Sequence, residues 1–274
     1  MDRITEPEAT KKARRVLIGT PCYDGKLEVW YVNGLIETIR QSMLRGIEIF
    51  PIWLSYDALI QRARNDLISL ALGMECDDLI FIDSDIEWQP DWIFKLLEYP
   101  VDVVGGTYPK KGDAELYVVK LLDTNKQPNN LTGLIEVDGL GAGFLRFSRR
   151  AIQWLWDNSE SYEEKEYNKI RKMIFEVVVR NNDLISEDIW VCEKLKSAGI
   201  STWLDPQMTC NHIGMKKYTG NFNQWLEKIR TSAPQIQPRS QPTLNWENPN
   251  YGNNSLNRFI NKTSGLNGIK SLYK

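Results

Sequence analysis

Short apolar runs and stretches of helical spacing take turns along the first 107 residues, and this alternation restricts the fold more than any single motif. RRVLIGTP, GIEIFPIWL, LIFI at 79–82 and VDVVGG are strand-like runs closed by Gly, Pro or acidic residues. Between them, residues 27–45, YDALIQRARNDLISLALGM and DWIFKLLEY repeat apolar residues every three or four positions. Strands alternating with helices predict a largely parallel α/β sheet covered on both faces. In such sheets ligands gather outside the carboxyl ends of the strands, so the chemistry is sought there.

The second half changes character. ELYVVKLLD, GLIEVDG and GFLRFS are strand-like with little helical punctuation, which predicts an antiparallel or mixed edge beside the parallel part. NSESYEEKEYNKIRK is a charged stretch that leads into the β-branched run FEVVV, and SEDIWVCEKLKSAG has the form of a capped helix ended by Gly199. The expected division is a polar tail over 1–15, one domain over 16–230 and a tail over 231–274, where Asn, Gln, Pro, Ser and Gly predominate.

Charge and composition narrow the function classes. With 34 Lys and Arg against 36 Asp and Glu, the net charge is −2, which argues against a phosphate backbone as the main partner, so no nucleic acid is expected. The basic cluster KKARR at 11–15 reads as a solvated tail, with weak attraction to an anionic surface as the alternative. No apolar run approaches the ~20 residues of a membrane span, and no apolar core of a secretory signal is evident. Four cysteines, Cys22, Cys76, Cys192 and Cys210, have no paired spacing, which fits a reducing compartment. The expected location is the cytoplasm, with peripheral association at a membrane surface as the alternative.

The most informative segment is DDLIFIDSDIEW. Its apolar strand delivers Asp83 and Asp85 to a carboxyl end, one residue apart, where carboxylates can meet a hard divalent cation. Acidic residues also form turns at strand ends. Two enzyme classes place Asp-x-Asp after an apolar strand. Haloacid-dehalogenase-like phosphatases use the first Asp as nucleophile but usually follow the second with Thr or Val, where this chain has Ile86 and Glu87. Nucleotide-sugar glycosyltransferases of the GT-A fold use the motif to hold a metal against the donor diphosphate.

RARNDL, LIFIDSDIEW, DVVGGTYPKKG, VDGLGAGFLRFSRRAI, SEDIWVCEKL and WLDPQMTCNHIG occur in the order found in a group of bacterial and viral GT-A glycosyltransferases similar to the family 2 inverting enzymes. The resemblance spans 16–215, apart from an insertion at 157–182. It implies a Rossmann-like GT-A fold and transfer of a sugar from a UDP-sugar donor to a hydroxyl of a glycan or glycoconjugate. Carried onto this chain, it implies that Thr20, Pro21 and Tyr23 line the nucleotide-base pocket. Asp83 and Asp85, with Ser84 between them, would face metal and diphosphate, Asp188 would be the general base, and His212 the distal metal ligand. Such a ligand set suits Mn²⁺ as well as Mg²⁺.

The residues also carry weight of their own. Ile60, Ala63, Arg64 and Leu67 share a helical face, so Arg64 interrupts an apolar stripe and needs a partner. A salt bridge to a carboxylate such as Asp83, a snorkelling stem, and a guanidinium aimed at the diphosphate or ordering the Asp-x-Asp loop are all open. Ser186 looks like an N-cap with Glu187 and Asp188 in the first turn, where the helix dipole alone favours acids. Asp188, Val191, Cys192 and Leu195 fall on one face, which points Asp188 inward and Glu187 elsewhere. His212, the single histidine, lies in an expected loop with Gly214. Trp88, Tyr108 and Trp190 flank the motifs, where an exposed ring can stack on an acceptor sugar. Gly141, Ala142 and Gly143 leave room for backbone to approach a sugar, or simply make a tight turn. A sugar-binding module without turnover is the non-enzyme alternative.

Overall fold

The computed structural model describes residues 12–112, 114–123, 127–165 and 168–232. Both expected tails therefore lie largely outside the described residues, whereas 12–15 of the basic cluster are described. The first half alternates as its periodicity predicts. It runs β1 (Arg14–Cys22), α1 (Val29–Arg45), β2 (Ile47–Ser55), α2 (Ile60–Gly73), β3 (Asp78–Ile82), a short β4 (Ile86–Glu87), α3 (Asp91–Glu98) and β5 (Val103–Thr107). α2 starts later than its apolar spacing suggests. Tyr56 sits at φ 64°, outside helical space, and Asp57 accepts the Leu59 backbone N–H at 2.9 Å.

The second half continues with β6 (Val119–Leu121), β7 (Ile135–Leu140), β8 (Phe144–Ser148), α4 (Arg149–Asp157), β9 (Ser161–Glu164), β10 (Lys169–Lys172), β11 (Val178–Arg180) and β12 (Asp183–Ile185). It closes with α5 (Glu187–Ser197), β13 (Thr202–Thr209), β14 (Asn211–Ile213), β15 (Lys217–Tyr218) and α6 (Phe222–Ser232). α4 is capped by Ser148, whose hydroxyl accepts the Ala151 N–H at 3.2 Å. The charged stretch folds as the antiparallel β9–β10 hairpin. β11 and β12 form a second hairpin, whose two-residue turn puts Asn181 and Asn182 at φ 54° and 61°, the backbone of a type I′ turn.

Eight strands form one mixed sheet in the order β2-β1-β3-β8-β5-β13-β7-β6. β1 pairs in parallel with β2 and β3, and β13 with β5, while β8 runs antiparallel between β3 and β5. Only β8 and β7 oppose the other strands, so the sheet is mostly parallel in direction. An antiparallel strand thus sits in the middle of the sheet as well as at the expected mixed edge. This is a Rossmann-like α/β unit compatible with the GT-A architecture.

Alternation along the strands sends Leu17, Leu79 and Phe81 to one face with α2, α4, α5 and α6, and Val16, Ile18, Ile80 and Ile82 to the other with α1 and α3. Helices therefore cover both faces. Asp78, fully buried at the start of β3, is held between Arg14 Nε and Arg146 Nε, each at 2.6 Å. β1 takes in Arg14 and Arg15, so these two residues of the basic cluster are not solvated tail. The Asp78 carboxylate and the Asp77 side chain, which accepts the Arg15 N–H at 2.8 Å, hold them to the sheet. No helix among the described residues is long and apolar enough to cross a membrane.

Candidate active site

β1 and β3 end side by side, and a cleft of about 500 Å³ opens beyond them. Pro21, Tyr23, Asp83, Ser84 and Asp85 line it, together with Lys111. Five residues expected around the donor therefore meet in one cavity. Thr20 does not join them. It is fully buried, its hydroxyl 2.6 Å from that of Tyr31, because strand alternation turns it toward α1. Burial, despite the bond from Thr20, pushes the Tyr31 phenol up to about 12.

β4 follows directly on Asp85 and pairs antiparallel with β14, so that Ile86 lies opposite His212. The Ile213 N–H also bonds the Asp85 carbonyl at 2.8 Å. His212 thus stands in a short strand and not in a loop, and backbone pairing brings it to Asp85. Its Nδ1 donates to the Pro109 carbonyl at 2.9 Å, and its Nε2 faces Asp85 Oδ2 at 3.5 Å. Lys111 Nζ donates to the same oxygen at 2.5 Å. Burial raises the Asp85 pKa, but His212 and Lys111 outweigh it and hold the carboxyl below its usual range.

Asp83 turns the other way. Arg64, 3% exposed on the inner face of α2, reaches both Asp83 oxygens from Nη2, at 3.0 and 3.3 Å, and Glu187 Oε1 from Nη1 at 2.7 Å. Burial disfavours the guanidinium charge, yet Asp83 and Glu187 raise its pKa, so it stays charged. Of the alternatives open for Arg64, the structure has the salt bridge to Asp83, and that bridge also orders the Asp-x-Asp loop.

The inward–outward contrast drawn for the start of α5 fails for Glu187, which reaches the site through Arg64. Helix spacing alone cannot foresee this, because the partner comes from another element. Asp188 Oδ1 accepts the Ile189 N–H at 2.8 Å and the Ser186 hydroxyl. Ser186 thus stands at the N-cap position, but its side chain serves Asp188 and not the helix backbone. Asp188 also lies close enough to raise the pKa of both Arg64 and Tyr108 by its charge.

The aromatic and small residues are placed differently from the acceptor platform expected of them. Trp88 is 3% exposed, its indole N–H donating to Thr38 at 3.2 Å and its ring packed on Gly34, so it is core under α1. Tyr108 is likewise buried, its phenol accepting the Gly143 N–H at 3.1 Å. A Cβ on Gly143 would fall 2.5 Å from that phenol and 2.8 Å from Asp83 Oδ2. On Gly141 it would fall 2.7 Å from the phenol. Both glycines, with fully buried Ala142 between them, admit the protein's own Tyr108. Trp190 is half-buried. It donates to Glu176 at 2.8 Å and carries the Arg180 guanidinium 5.7 Å from its ring centre. Lys111 carried no expectation of its own, although the PKKG loop that holds it is part of the motif set.

Among the described residues, no three His, Cys, Asp or Glu side chains converge as a ready cage for a metal. Asp85 and His212 do converge, one oxygen and one imidazole nitrogen beside a cleft, and the Lys111 ammonium rests against Asp85. Asp85 and His212 are the side chains that could hold a divalent cation such as Mn²⁺ or Mg²⁺.

No protein-family model matches the chain, and no curated protein matches it. Among solved structures, A197 from STIV is similar at 18% identity and a TM-score of 0.47, over 76% of this chain and 94% of that one. A glycosyltransferase involved in the glycosylation of the major capsid of PBCV-1 is similar at 10% identity and a TM-score of 0.31, over 53% of this chain and 66% of that one.

Proposed function

We propose that the protein is a metal-dependent glycosyltransferase that moves a sugar from a UDP-sugar to a hydroxyl of a glycan or glycoconjugate, with inversion. The observation that carries this reading is the cleft at the ends of β1 and β3, where Asp83 and Asp85 share a wall with Pro21 and Tyr23. A nucleoside diphosphate needs an apolar and aromatic wall for its base and a cationic place for its phosphates; Pro21 and Tyr23 offer the first, and a cation held at Asp85 would supply the second on this carboxylate-lined side.

Bound Mn²⁺ or Mg²⁺, held by Asp85 and His212, would neutralise charge on the diphosphate. Arg64 fixes Asp83 and Glu187 in one arrangement before substrate arrives, which lowers the reorganisation needed at the site. Lys111 has a flexible stem and lies on Asp85, so it can turn to a phosphate oxygen when Asp85 takes a different partner. Tyr23, 67% exposed, gives the base a ring face.

Asp188 is assigned the proton. The acceptor oxygen bonds to the anomeric carbon from the face opposite the diphosphate, its proton passes to Asp188, and the electron pair of the broken C–O bond leaves with the diphosphate. The proton moves as the leaving group departs. A phosphatase using Asp83 as nucleophile is disfavoured, since Arg64 reaches both oxygens of that carboxylate.

The test is UDP release from a panel of nucleotide sugars without acceptor. Slow, Mn²⁺-dependent hydrolysis of one or more UDP-sugars is expected. Hydrolysis of simple phosphate esters through a trapped aspartyl-phosphate would replace this reading with the phosphatase.

A further inference from the structure

A second cleft, of about 420 Å³, lies between the first turns of α2 and residues 162–164 and 173–177 of the insertion. We propose that it is a subsite for the acceptor and takes a neutral oligosaccharide. The proposal rests on the glycosyltransferase reading for the word acceptor, though not for the binding itself.

The two clefts are neighbours along α2. Asp57 and Ile60 line the donor cleft, while Gln61, Arg62 and Asn65 line the second. Arg62 bridges them, with Asp57 at 2.8 Å on one side and Glu164 at 3.3 Å on the other. At its far wall Glu176 accepts the Trp190 indole N–H, two residues beyond Asp188. A chain lying in this cleft therefore runs between the donor site and the start of α5.

The insertion that forms the outer wall is firmly anchored. Phe175 is fully buried against Phe81 and Phe147, and its N–H donates to Asn65 at 2.7 Å. Arg171 joins Glu164 at 2.5 Å and also pairs with Asp66. The wall is thus set before any ligand arrives, which reduces the ordering cost of binding.

The chemistry favours a neutral, hydroxyl-rich ligand. Every charge lining the cleft is already paired: Arg62 with Asp57 and Glu164, Glu164 also with Arg171, and Glu176 with Lys194 at 2.7 Å. No unpaired cation is left to select an anionic glycan. By contrast, the Gln61 amide and the Tyr162 hydroxyl have no protein hydrogen-bond partner among the described residues, and both are half-buried on the wall. An amide and a phenol beside apolar surface match a sugar ring, which presents hydroxyls at its edge and C–H groups on its faces.

The experiment is saturation-transfer NMR on the full chain without nucleotide. The probes are mixed neutral malto-, cello- and manno-oligosaccharides, with oligogalacturonate as the anionic probe. Tyr162→Ala removes the phenol, and Val177→Trp fills the cleft from its exposed rim. UDP titration with Mn²⁺ and thermal unfolding run alongside. The expected result is saturation of at least one neutral probe, weakened at least about tenfold in both variants, with UDP affinity within about twofold of the parent. Saturation of the anionic probe alone, no saturation of any neutral probe, or undiminished binding in Val177→Trp would overturn the subsite. If the parent fails to bind UDP while the neutral probe binds and the variants lose it, the glycosyltransferase reading fails and the carbohydrate site stands.

Discussion

Arg64 Nη1 lies 2.7 Å from Glu187 Oε1 across 123 residues of sequence, and this bond joins the helix after β2 to the helix that carries Asp188. Arg64 also holds Asp83, so one buried guanidinium sets the distance between the Asp-x-Asp loop and the start of α5.

Glu187→Gln keeps the shape but replaces a charged bond with a neutral one. The variant is expected to lose up to about 1.5–3 kcal/mol in urea unfolding, the range for hydrogen bonds to charged groups. A double-mutant cycle with Arg64→Met should show a coupling of about 0.5–3 kcal/mol. A coupling indistinguishable from zero would mean that the bond does not hold the site together.

At the opposite end of β3, Asp78 is a stability element with no part in the chemistry. Asp78→Ala leaves the buried Arg146 without its carboxylate, so about 3–5 kcal/mol of stability should be lost. Chemical denaturation measures it. UDP affinity of the folded fraction should be unchanged, since Asp78 and the cleft lie at opposite ends of the strand.

All four cysteines are buried. Burial raises each thiol, that of Cys192 to about 11 and that of Cys210 well above its usual value. Because the thiolate is the reactive form, iodoacetamide should label the native protein only as fast as it unfolds. Mass spectrometry at mildly alkaline pH is expected to show no native adducts and full labelling in denaturant. Rapid native labelling of one thiol would contradict its burial.

The alternation of β1 to β5 with α1 to α3 was legible because each segment carries its own period. The same holds for Asp83 and Asp85, delivered by an apolar strand. What was not legible depends on pairing between distant segments. β4 has two residues and no period to read, yet its register with β14 moves His212 from an expected loop to Asp85. Glu187 looked outward because helix spacing says nothing about an arginine arriving from α2. Trp88 and Tyr108 look the same in sequence whether they stack on a ligand or on Gly34 and Gly143. The Asn181-Asn182 turn was a missed local signal, since paired Asn residues suit the positive φ of a type I′ hairpin.

Asp188→Asn keeps size and most of the bonding at the start of α5 but removes the carboxylate proposed to accept the proton. Sugar transfer should fall by roughly 10²- to 10⁴-fold, with UDP affinity little changed. The anomeric proton coupling of the parent's product should report inversion. Retained configuration, or undiminished turnover in the variant, would take Asp188 out of the mechanism.

The central claim is that Asp85 and His212 hold a divalent cation jointly with a nucleoside diphosphate in the cleft beyond β1 and β3. Calorimetric titration of UDP into the protein tests it most directly, with Mn²⁺, with chelator and with Asp85→Ala. The account predicts firm UDP binding with Mn²⁺, weak binding of either alone, and loss of the Mn²⁺ effect in the variant. Equal UDP affinity under all three conditions would contradict it.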